Sequence, residues 1–280
     1  MSDMSRPPRE AGRQAPLRRR ATTAILGIPI SRHPLEEILR DAIASIDGRA
    51  PRRVVACANP HSLVLAQQDA EFRAALLHAT YLLPDGVGVV KASKLSAAPI
   101  ARRIAGGDFF DGLMRALDRR GGARVFFLGS TPATLQKIAA RMATDYPNLA
   151  LCGTLSPPFG DWPNAVDLDL VEAINRARPD LLWVGMTAPR QERWVERNRD
   201  RLDVPVIGSI GAVFDFFAGT TPRAPAWAQQ AGIEWLHRLV KQPRRMWRRT
   251  FLSAPQFLEL VLREKLSRTV SRPDESRPRP

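Results

Sequence analysis

The sequence predicts an α/β fold: a Rossmann-like, mainly parallel sheet flanked by helices, followed by a helical, membrane-associating appendage at the C-terminus. Short apolar runs alternate with stretches of helical periodicity between residues 53 and 210, which is the pattern of βαβ units. The runs are apolar along their whole length, as strands are in a parallel sheet covered on both faces. After residue 221 the pattern changes to Trp, Phe and Leu at helical spacing among many arginines, which predicts the separate appendage.

Six strands and five helices carry the prediction of the α/β domain. The predicted strands are Arg53–Ala58, Tyr81–Leu83, Val125–Leu128, Leu149–Leu155, Leu181–Val184 and Val206–Ile210. The predicted helices run from Pro60 to about Ala79, from Gly107 to Arg120, from Pro132 to about Tyr146, from Asp167 to Ala177 and onward from Pro189. Thr131 and Pro132 favour a helix start, because a capping hydroxyl precedes a proline in the first turn.

The net charge of +14 is concentrated at the two ends of the chain. Residues 1–20 carry +4, residues 21–220 carry +2 and residues 221–280 carry +8. We expect disordered tails over residues 1–20 and 269–280, which are rich in Arg and Pro. Residues 21–220 are expected to form the catalytic α/β domain and residues 221–268 the appendage. A nearly neutral body argues against nucleic acid as the partner, whereas basic ends suit an anionic membrane surface.

The cysteines and the hydropathy of the chain indicate its location. Cys57 and Cys152 fall in predicted strands and are expected to be buried free thiols, as in a reducing compartment. The N-terminus has no apolar segment typical of a signal peptide, and no run reaches the roughly 18–20 apolar residues of a spanning helix. We expect a cytoplasmic protein that rests on the membrane through Trp235, Trp247, Phe251 and the arginines around them.

Candidate functional residues lie where predicted strands end, because ligands bind at the carboxyl edge of a parallel sheet. Asp85 follows a strand and precedes a glycine; its carboxylate can act as a general base, or it is an ordinary turn aspartate. Asn59 can hydrogen-bond a ligand or cap the next helix. Gln191 and Glu192 open a helix whose free N–H groups attract anions and can contact a base or sugar, or they are ordinary first-turn residues.

Motifs for metals and cofactors are weak or missing in the sequence. Asp167-Leu168-Asp169 resembles a metal-binding Asp-x-Asp, but it lies at a predicted helix start and we interpret it as capping. No His/Cys set has zinc spacing, and neither Gly-x-x-x-x-Gly-Lys-Ser/Thr nor Gly-x-Gly-x-x-Gly occurs. We therefore predict no metal and no cofactor. If the reaction releases a diphosphate, its charge would then be stabilised by arginines or helix starts instead of a metal. The C-terminal arginines could supply this charge, or they form a solvated or lipid-facing surface.

An ordered set of short motifs resembles the WecG/TagA/CpsF glycosyltransferases, also called glycosyltransferase family 26, from about Ile25 to Arg249. Each motif is weak alone, but the ordered set is specific. The motifs are Ala58-Asn59-Pro60, Pro84-Asp85-Gly86-Val87-Gly88-Val89-Val90, Arg103-Ile104-Ala105-Gly106-Gly107-Asp108, Val125-Phe126-Phe127-Leu128-Gly129, Pro189-Arg190-Gln191-Glu192, Gly211-Ala212-Val213-Phe214-Asp215, Arg223-Ala224-Pro225, and Glu234-Trp235-Leu236-His237-Arg238-Leu239 with Pro243-Arg244-Arg245.

The resemblance implies a metal-independent, inverting transfer of a hexosyl residue from a UDP-sugar to a polyprenyl-diphosphate-linked sugar. It implies that this happens at the inner face of a bacterial plasma membrane, in the synthesis of a surface polysaccharide or glycolipid, with Asp85 as the base. The residues that it implies for substrate binding are Asn59, Arg103, Gly129, Gln191, Arg238, Arg245 and Arg248. It leaves open a homo-oligomer and the sugar: N-acetylmannosamine, its uronic acid, glucose or glucuronic acid.

The chain departs from the family pattern at a few positions. Cys57 stands where the family often has Thr, Thr187 or Ala188 replaces a usual Gly, and Arg190 replaces a Lys. The choice of donor can change accordingly. Two rival functions stay open at this point: another nucleotide-binding α/β enzyme such as an oxidoreductase, and a basic module that binds nucleic acid or membrane.

Overall fold

A computed structural model of the chain describes residues 21–222, 224–225, 239 and 248–270. The predicted tail over residues 1–20 lies outside the described residues, as does the end of the chain from residue 271. Within the appendage, the residues outside the described part include Trp235, Arg238, Arg245 and Trp247.

One six-stranded parallel sheet forms the centre of the α/β domain and confirms the predicted fold class. The strands of the chain are β1 (Thr22–Ile25), β2 (Ile28–Ser31), β3 (Arg53–Ala58), β4 (Tyr81–Pro84), β5 (Arg124–Gly129), β6 (Ala150–Leu155), β7 (Leu181–Gly185) and β8 (Val206–Ser209). The sheet has the order β4-β3-β8-β7-β5-β6. All six predicted strands are present, and β1 and β2 add an antiparallel hairpin that the sequence analysis leaves unassigned.

Helices precede, connect and follow these strands. They are α1 (Leu35–Ile46), α2 (Pro60–Leu65), α3 (Ala70–His78), α4 (Val87–Ser93), α5 (Gly106–Arg120), α6 (Pro132–Asp145), α7 (Asn164–Ala177), α8 (Arg190–Asn198), α9 (Val213–Phe217) and α10 (Ala254–Val270), with a π-helical turn at Arg248–Ser253. The prediction of one helix from Pro60 to Ala79 is wrong. The chain breaks after α2, and Asp69 caps α3 by accepting from the Phe72 N–H at 2.9 Å.

The sheet is covered on both faces, as its apolar strands predict. Trp183 on β7 is fully buried, with its ring 5.1 Å from that of Phe110 and 5.6 Å from that of Phe109, both on α5. Gly208 on β8 makes room for this indole, since a Cβ there would lie 2.2 Å from it. On the other face, Trp194 of α8 belongs to a second buried cluster. Burying each such side chain stabilises the fold by about 1.5–3 kcal/mol.

The last helix, α10, packs one face against the body of the protein. Phe257 and Val261 are buried in a cluster with Leu63 of α2, and the Leu26 N–H donates to the Glu264 carboxylate at 3.0 Å. The opposite face exposes three leucines one turn apart, namely Leu258, Leu262 and Leu266. Within the described ranges, no helix combines the length and the hydropathy needed to cross a bilayer.

Cys57 and Cys152 are free thiols, as predicted, but neither residue is fully buried. Cys152 lies on β6, the edge strand of the sheet, and Cys57 lies one residue before the carboxyl end of β3. Both residues are therefore partly buried rather than buried as expected, Cys152 because β6 is an edge strand and Cys57 because it lies near the carboxyl end of β3, although its sulfur is withdrawn from water.

Candidate active site

The carboxyl ends of β3 and β4 bring Asp85 and Asn59 together. The two strands pair with Ala58 opposite Pro84, and the Asp85 N–H donates to the Ala58 carbonyl oxygen at 2.8 Å. Gly86 follows with a φ of +125°, and a Cβ on it would lie 3.9 Å from the Asn59 Cβ. The tight turn therefore places Asp85, a half-buried residue, at the edge of the sheet beside Asn59.

Asn59 caps α2, which is one of its two predicted roles. Its Oδ1 accepts from the Ser62 N–H at 3.0 Å, while the Ser62 hydroxyl oxygen accepts from the Asn59 N–H at 2.8 Å. This reciprocal arrangement fixes the side chain. It occupies the oxygen of the carboxamide and leaves the Nδ2 group as the part that can meet a ligand, so the predicted substrate contact is compatible with capping.

Three carboxylates act on the Cys57 thiol from different elements. Loss of water around the sulfur raises the pKa of Cys57 well above its ordinary value, and the charges of Asp85, Glu192 and Asp108 raise it further. A backbone hydrogen bond from Gly106 opposes this effect, and a Cβ on that glycine would lie 3.1 Å from the sulfur. The thiol is therefore protonated at neutral pH and offers an S–H donor rather than a nucleophile.

Asp108 is a further candidate site residue, which the sequence analysis names only as part of a motif. It lies in the first turn of α5, where its Oδ2 accepts from the Ala105 N–H at 2.9 Å. The signal for it was its place at the end of the Arg103–Asp108 motif. A first-turn acid is ordinary on its own, and only the fold brings it to the edge that carries Asp85.

Gln191 and Glu192 are both 4% exposed in the first turn of α8. The Gln191 Nε2 donates to the Glu192 Oε1 at 2.8 Å, whereas the Gln191 Oε1 accepts no hydrogen bond from the described residues. A Cβ on Gly211, just after β8, would lie 3.4 Å from this oxygen. Such burial is unusual for ordinary first-turn polar residues. It favours the interpretation that Gln191 faces a ligand, which stays a prediction.

Arg103 and Gly129 also lie at the carboxyl edge of the sheet. Arg103 is half-buried, and the next residue, Ile104, donates its N–H to the Pro84 carbonyl oxygen at 3.1 Å. Gly129 has a φ of +126°, and a Cβ on it would lie 2.5 Å from the Gly185 carbonyl oxygen. Close approach of β5 and β7 therefore explains this glycine. For both residues substrate binding stays a prediction.

The prediction that Asp167 and Asp169 cap a helix is wrong. α7 begins three residues earlier, at Asn164, and its N-cap is Pro163. Asp167 is buried, and its Oδ1 accepts from two indole N–H groups, that of Trp162 at 2.6 Å and that of Trp194 at 2.8 Å. Asp169 is exposed, so the two carboxylates point apart. No group of three or more candidate metal ligands occurs among the described residues.

Arg190 places a positive charge at the start of α8. Its guanidinium carbon lies 4.5 Å from the centre of the Trp162 ring, a cation–π distance, and its Nη2 lies 3.9 Å from the Asp161 carboxylate. The stacking orients the arginine at the helix end whose free N–H groups favour anions.

The described end of the appendage lies beside α2. The Ser253 hydroxyl and the His61 Nδ1 are hydrogen-bonded at 2.8 Å, and His61 comes two residues after Asn59. Arg248 is the first residue of the π-helical turn that ends at Ser253. The other two predicted arginines of the appendage, Arg238 and Arg245, lie outside the described residues.

These features define a Rossmann-like α/β protein with acids, amides and a protonated thiol at the carboxyl edge of its sheet. Among such proteins, the chain belongs to the glycosyl transferase WecG/TagA/CpsF family, whose model matches residues 23–271. The resemblance indicated by the ordered motifs is thereby confirmed, and with it the class of glycosyltransferases.

Three relatives of this chain share one name. A protein of Bacillus spizizenii strain W23 is 32% identical over 75% of this chain and 79% of its own length. One of Bacillus subtilis strain 168 is 30% identical over 76% and 80%, and one of Staphylococcus aureus strain MW2 is 28% identical over 75% and 80%. Each is named N-acetylglucosaminyldiphosphoundecaprenol N-acetyl-beta-D-mannosaminyltransferase.

Proposed function

We propose that this protein transfers an N-acetylmannosaminyl or related hexosyl residue from a UDP-sugar to a polyprenyl-diphosphate-linked N-acetylglucosamine. The observation that carries the proposal is the position of Asp85 beside Asn59 at the sheet edge, in a member of a glycosyltransferase family. The acceptor in the relatives' names supports the lipid-linked sugar. Their β-linked product supports inversion, since inversion at an α-linked UDP-sugar gives a β-linkage.

Asp85 is the proposed base of the transfer. Its carboxylate takes the proton from the acceptor hydroxyl as that oxygen bonds to the anomeric carbon. The bond from the anomeric carbon to the UDP oxygen breaks on the opposite face, and its electron pair leaves with the diphosphate. Asn59 is held by its cap and supplies the amide N–H beside the reacting groups, which restricts the acceptor to productive orientations.

Arginines and a helix start are proposed to stabilise the departing UDP. Arg103 lies at the edge that carries Asp85, and Arg190 is held over Trp162 at the start of α8. Arginine forks suit pairs of phosphate oxygens. Arg238, Arg245 and Arg248 of the appendage are proposed to complete this set, so that transfer proceeds without a metal ion.

The proposed location is the inner face of the bacterial plasma membrane, with the protein bound peripherally. Leu258, Leu262 and Leu266 form an exposed apolar stripe on α10, and Phe251 and Leu252 are exposed just before it. Residues 221–280 carry a net charge of +8. An apolar stripe beside many cations supports adsorption to anionic lipid, where each cation contributes about 1 kcal/mol.

The membrane proposal is tested with the full chain by flotation on phosphatidylglycerol vesicles. Replacing the three leucines of the stripe by serine is expected to abolish co-flotation, while turnover of a short-chain, soluble acceptor stays at the wild-type rate. Equal flotation of the two proteins would contradict the assignment of this face to lipid.

A screen of UDP release tests the chemistry. Purified protein is incubated with UDP-N-acetylmannosamine, its uronic acid, UDP-glucose or UDP-glucuronic acid and a short-chain lipid-diphosphate N-acetylglucosamine. We expect acceptor-dependent UDP release with at least one donor and a β-linked product by NMR. Absence of release with every donor, together with turnover of a nicotinamide cofactor or salt-dependent binding of duplex DNA, would favour one of the rival functions instead.

A further inference from the structure

We propose that Glu192 is a positioning residue, which fixes the Gln191 carboxamide so that its oxygen faces the nucleotide-sugar as a hydrogen-bond acceptor. The inference rests on the proposed function, because it takes a nucleotide-sugar to bind at this edge of the sheet. It adds Glu192 to the site and specifies that the ligand group in contact with Gln191 is a hydrogen-bond donor.

The orientation of the Gln191 carboxamide follows from its neighbour. An ionised carboxylate accepts hydrogen bonds but donates none, so the amide turns its NH₂ group toward Glu192, and the Nε2 to Oε1 distance is 2.8 Å. Turning the amide over would set two oxygens against each other in a buried space, where an unpaired polar contact is costly. The Gln191 oxygen is therefore directed away from Glu192.

The Gln191 oxygen is buried without a donor. The residue is 4% exposed, and its Oε1 accepts no hydrogen bond within the described parts of the chain. Gly211 faces it with a φ of +53°, and a side chain there would approach the oxygen to 3.4 Å. A buried acceptor of this kind gains most from a ligand that brings an N–H or O–H group.

The polarity of this atom selects among the parts of a nucleotide-sugar. Sugar and ribose hydroxyls, an acetamido N–H and the N3–H of uracil can all donate to the Gln191 oxygen. The oxygens of an ionised diphosphate cannot, since they only accept. The Gln191 oxygen therefore accepts a hydrogen bond from a hydroxyl or amide group of the donor. The free N–H groups at the start of the same helix, in contrast, favour anions.

A double-mutant cycle on the full chain tests this role. Calorimetry gives the Kd of UDP and of UDP-N-acetylmannosamine for wild type, Gln191→Leu, Glu192→Gln and the double variant. We expect Gln191→Leu to raise the Kd about tenfold and Glu192→Gln about fivefold, as for loss of one hydrogen bond. The double variant should bind no more weakly than Gln191→Leu alone, because the proposed effect of Glu192 on the ligand passes through Gln191.

A matched control is Glu196→Gln on the same helix, whose carboxylate contacts His78 instead of Gln191, and its Kd should equal that of wild type. A loss with both ligands would assign the contact to the nucleotide, and a loss with the UDP-sugar alone would assign it to the sugar; both support the proposal. Additive losses in the double variant, or wild-type affinity in Glu192→Gln, would overturn it. Wild type that binds neither ligand would instead count against the proposed function.

Thermal unfolding of every variant checks that a loss of affinity is not a loss of fold. Should Glu192→Gln fail to fold, Glu192→Asp replaces it in the same cycle. This variant keeps the charge but withdraws the carboxylate by one methylene, so it should weaken binding in the wild-type background and leave the Gln191→Leu background unchanged. A loss in both backgrounds would refute the positioning role.

Discussion

Asp85 and Asp167 are both acids that the sequence marks as candidates, yet the fold treats them in opposite ways. Asp167 is buried, and one of its oxygens accepts from two indole N–H groups of the protein itself. Asp85 follows β4 at a glycine turn, and it shares the surroundings of the Cys57 thiol with Asp108 and Glu192. The first acid closes a contact between α7, α8 and the loop before α7, whereas the second lies where a ligand can reach a parallel sheet.

The difference separates an acid with a structural role from one that is proposed to react. Asp167 satisfies the indole N–H of Trp194, which is 0% exposed and would otherwise be buried without a partner, so its value lies in stability. Asp85 is the acid whose removal should affect the reaction. Each of the following experiments tests one side of this contrast.

The largest effect is expected for Asp85→Asn. Turnover should fall about 10²–10⁴-fold, the usual loss for a positioned base, while the Kd of UDP stays near that of wild type. The measurement is acceptor-dependent UDP release beside calorimetry with UDP. Asp145→Asn is the control, because this exposed acid of α6 pairs with Arg141 away from the sheet edge. Wild-type turnover in Asp85→Asn would remove Asp85 from the role of base.

Asp167→Ala should act on stability instead. It leaves the indole N–H groups of Trp162 and Trp194 without their acceptor, and the loss at the fully buried Trp194 alone costs about 1–3 kcal/mol. Urea unfolding should show this loss, while turnover per folded molecule stays at the wild-type value. Asp167→Asn keeps an oxygen for both indoles and should lose far less. Near-normal stability combined with lost turnover would place Asp167 in the site and erase the contrast.

Cys57 reports the charge of Asp85 directly. The pKa of the Cys57 thiol is raised in the folded protein, so the folded thiol stays protonated at a pH where the unfolded one ionises. The contribution of Cys57 to stability is therefore complete below the ordinary thiol pKa and is lost as the pH rises toward the folded pKa.

At pH 8–9, Asp85→Asn should speed alkylation of Cys57 about three- to tenfold, since one like charge is gone. Mass spectrometry of the labelled peptides measures this, with Cys152 as the internal reference. An unchanged rate, or the same increase in Asp167→Asn, would mean that Asp85 does not act on the thiol.

The sequence predicts what depends on local pattern. Apolar runs mark all six strands of the sheet, because buried parallel strands need them, and Asp85 and Asn59 come together because β3 and β4 end side by side. The hairpin β1–β2 is missed because its turn uses a positive φ at Leu26, a residue that rarely adopts one.

Contacts between distant segments account for the other differences. The local sequence makes Asp167 a candidate cap or metal ligand. In the fold it instead accepts a hydrogen bond from Trp194, 27 residues further along the chain. The burial of Gln191 and Glu192 likewise comes from the packing of α8 against the sheet, which no local pattern specifies. Long-range packing thus decides which of several similar polar residues face a ligand.

The smallest effect is expected from a chelator, which should leave the rate of transfer unchanged. The only Asp-x-Asp of the sequence consists of Asp167 and Asp169 on α7. Asp167 is buried against two indoles and Asp169 is exposed, because residues two apart on a helix do not share a face. Transfer rates with EDTA, and with added Mg²⁺ or Mn²⁺ after dialysis, measure the effect. A rate that EDTA abolishes and Mn²⁺ restores would require a metal at the site. The Asp167→Asn variant, which keeps the indole contacts, would then show whether Asp167 binds the metal. If Asp167 is a metal ligand, this variant should respond more weakly to Mn²⁺ than wild type while its stability is unchanged.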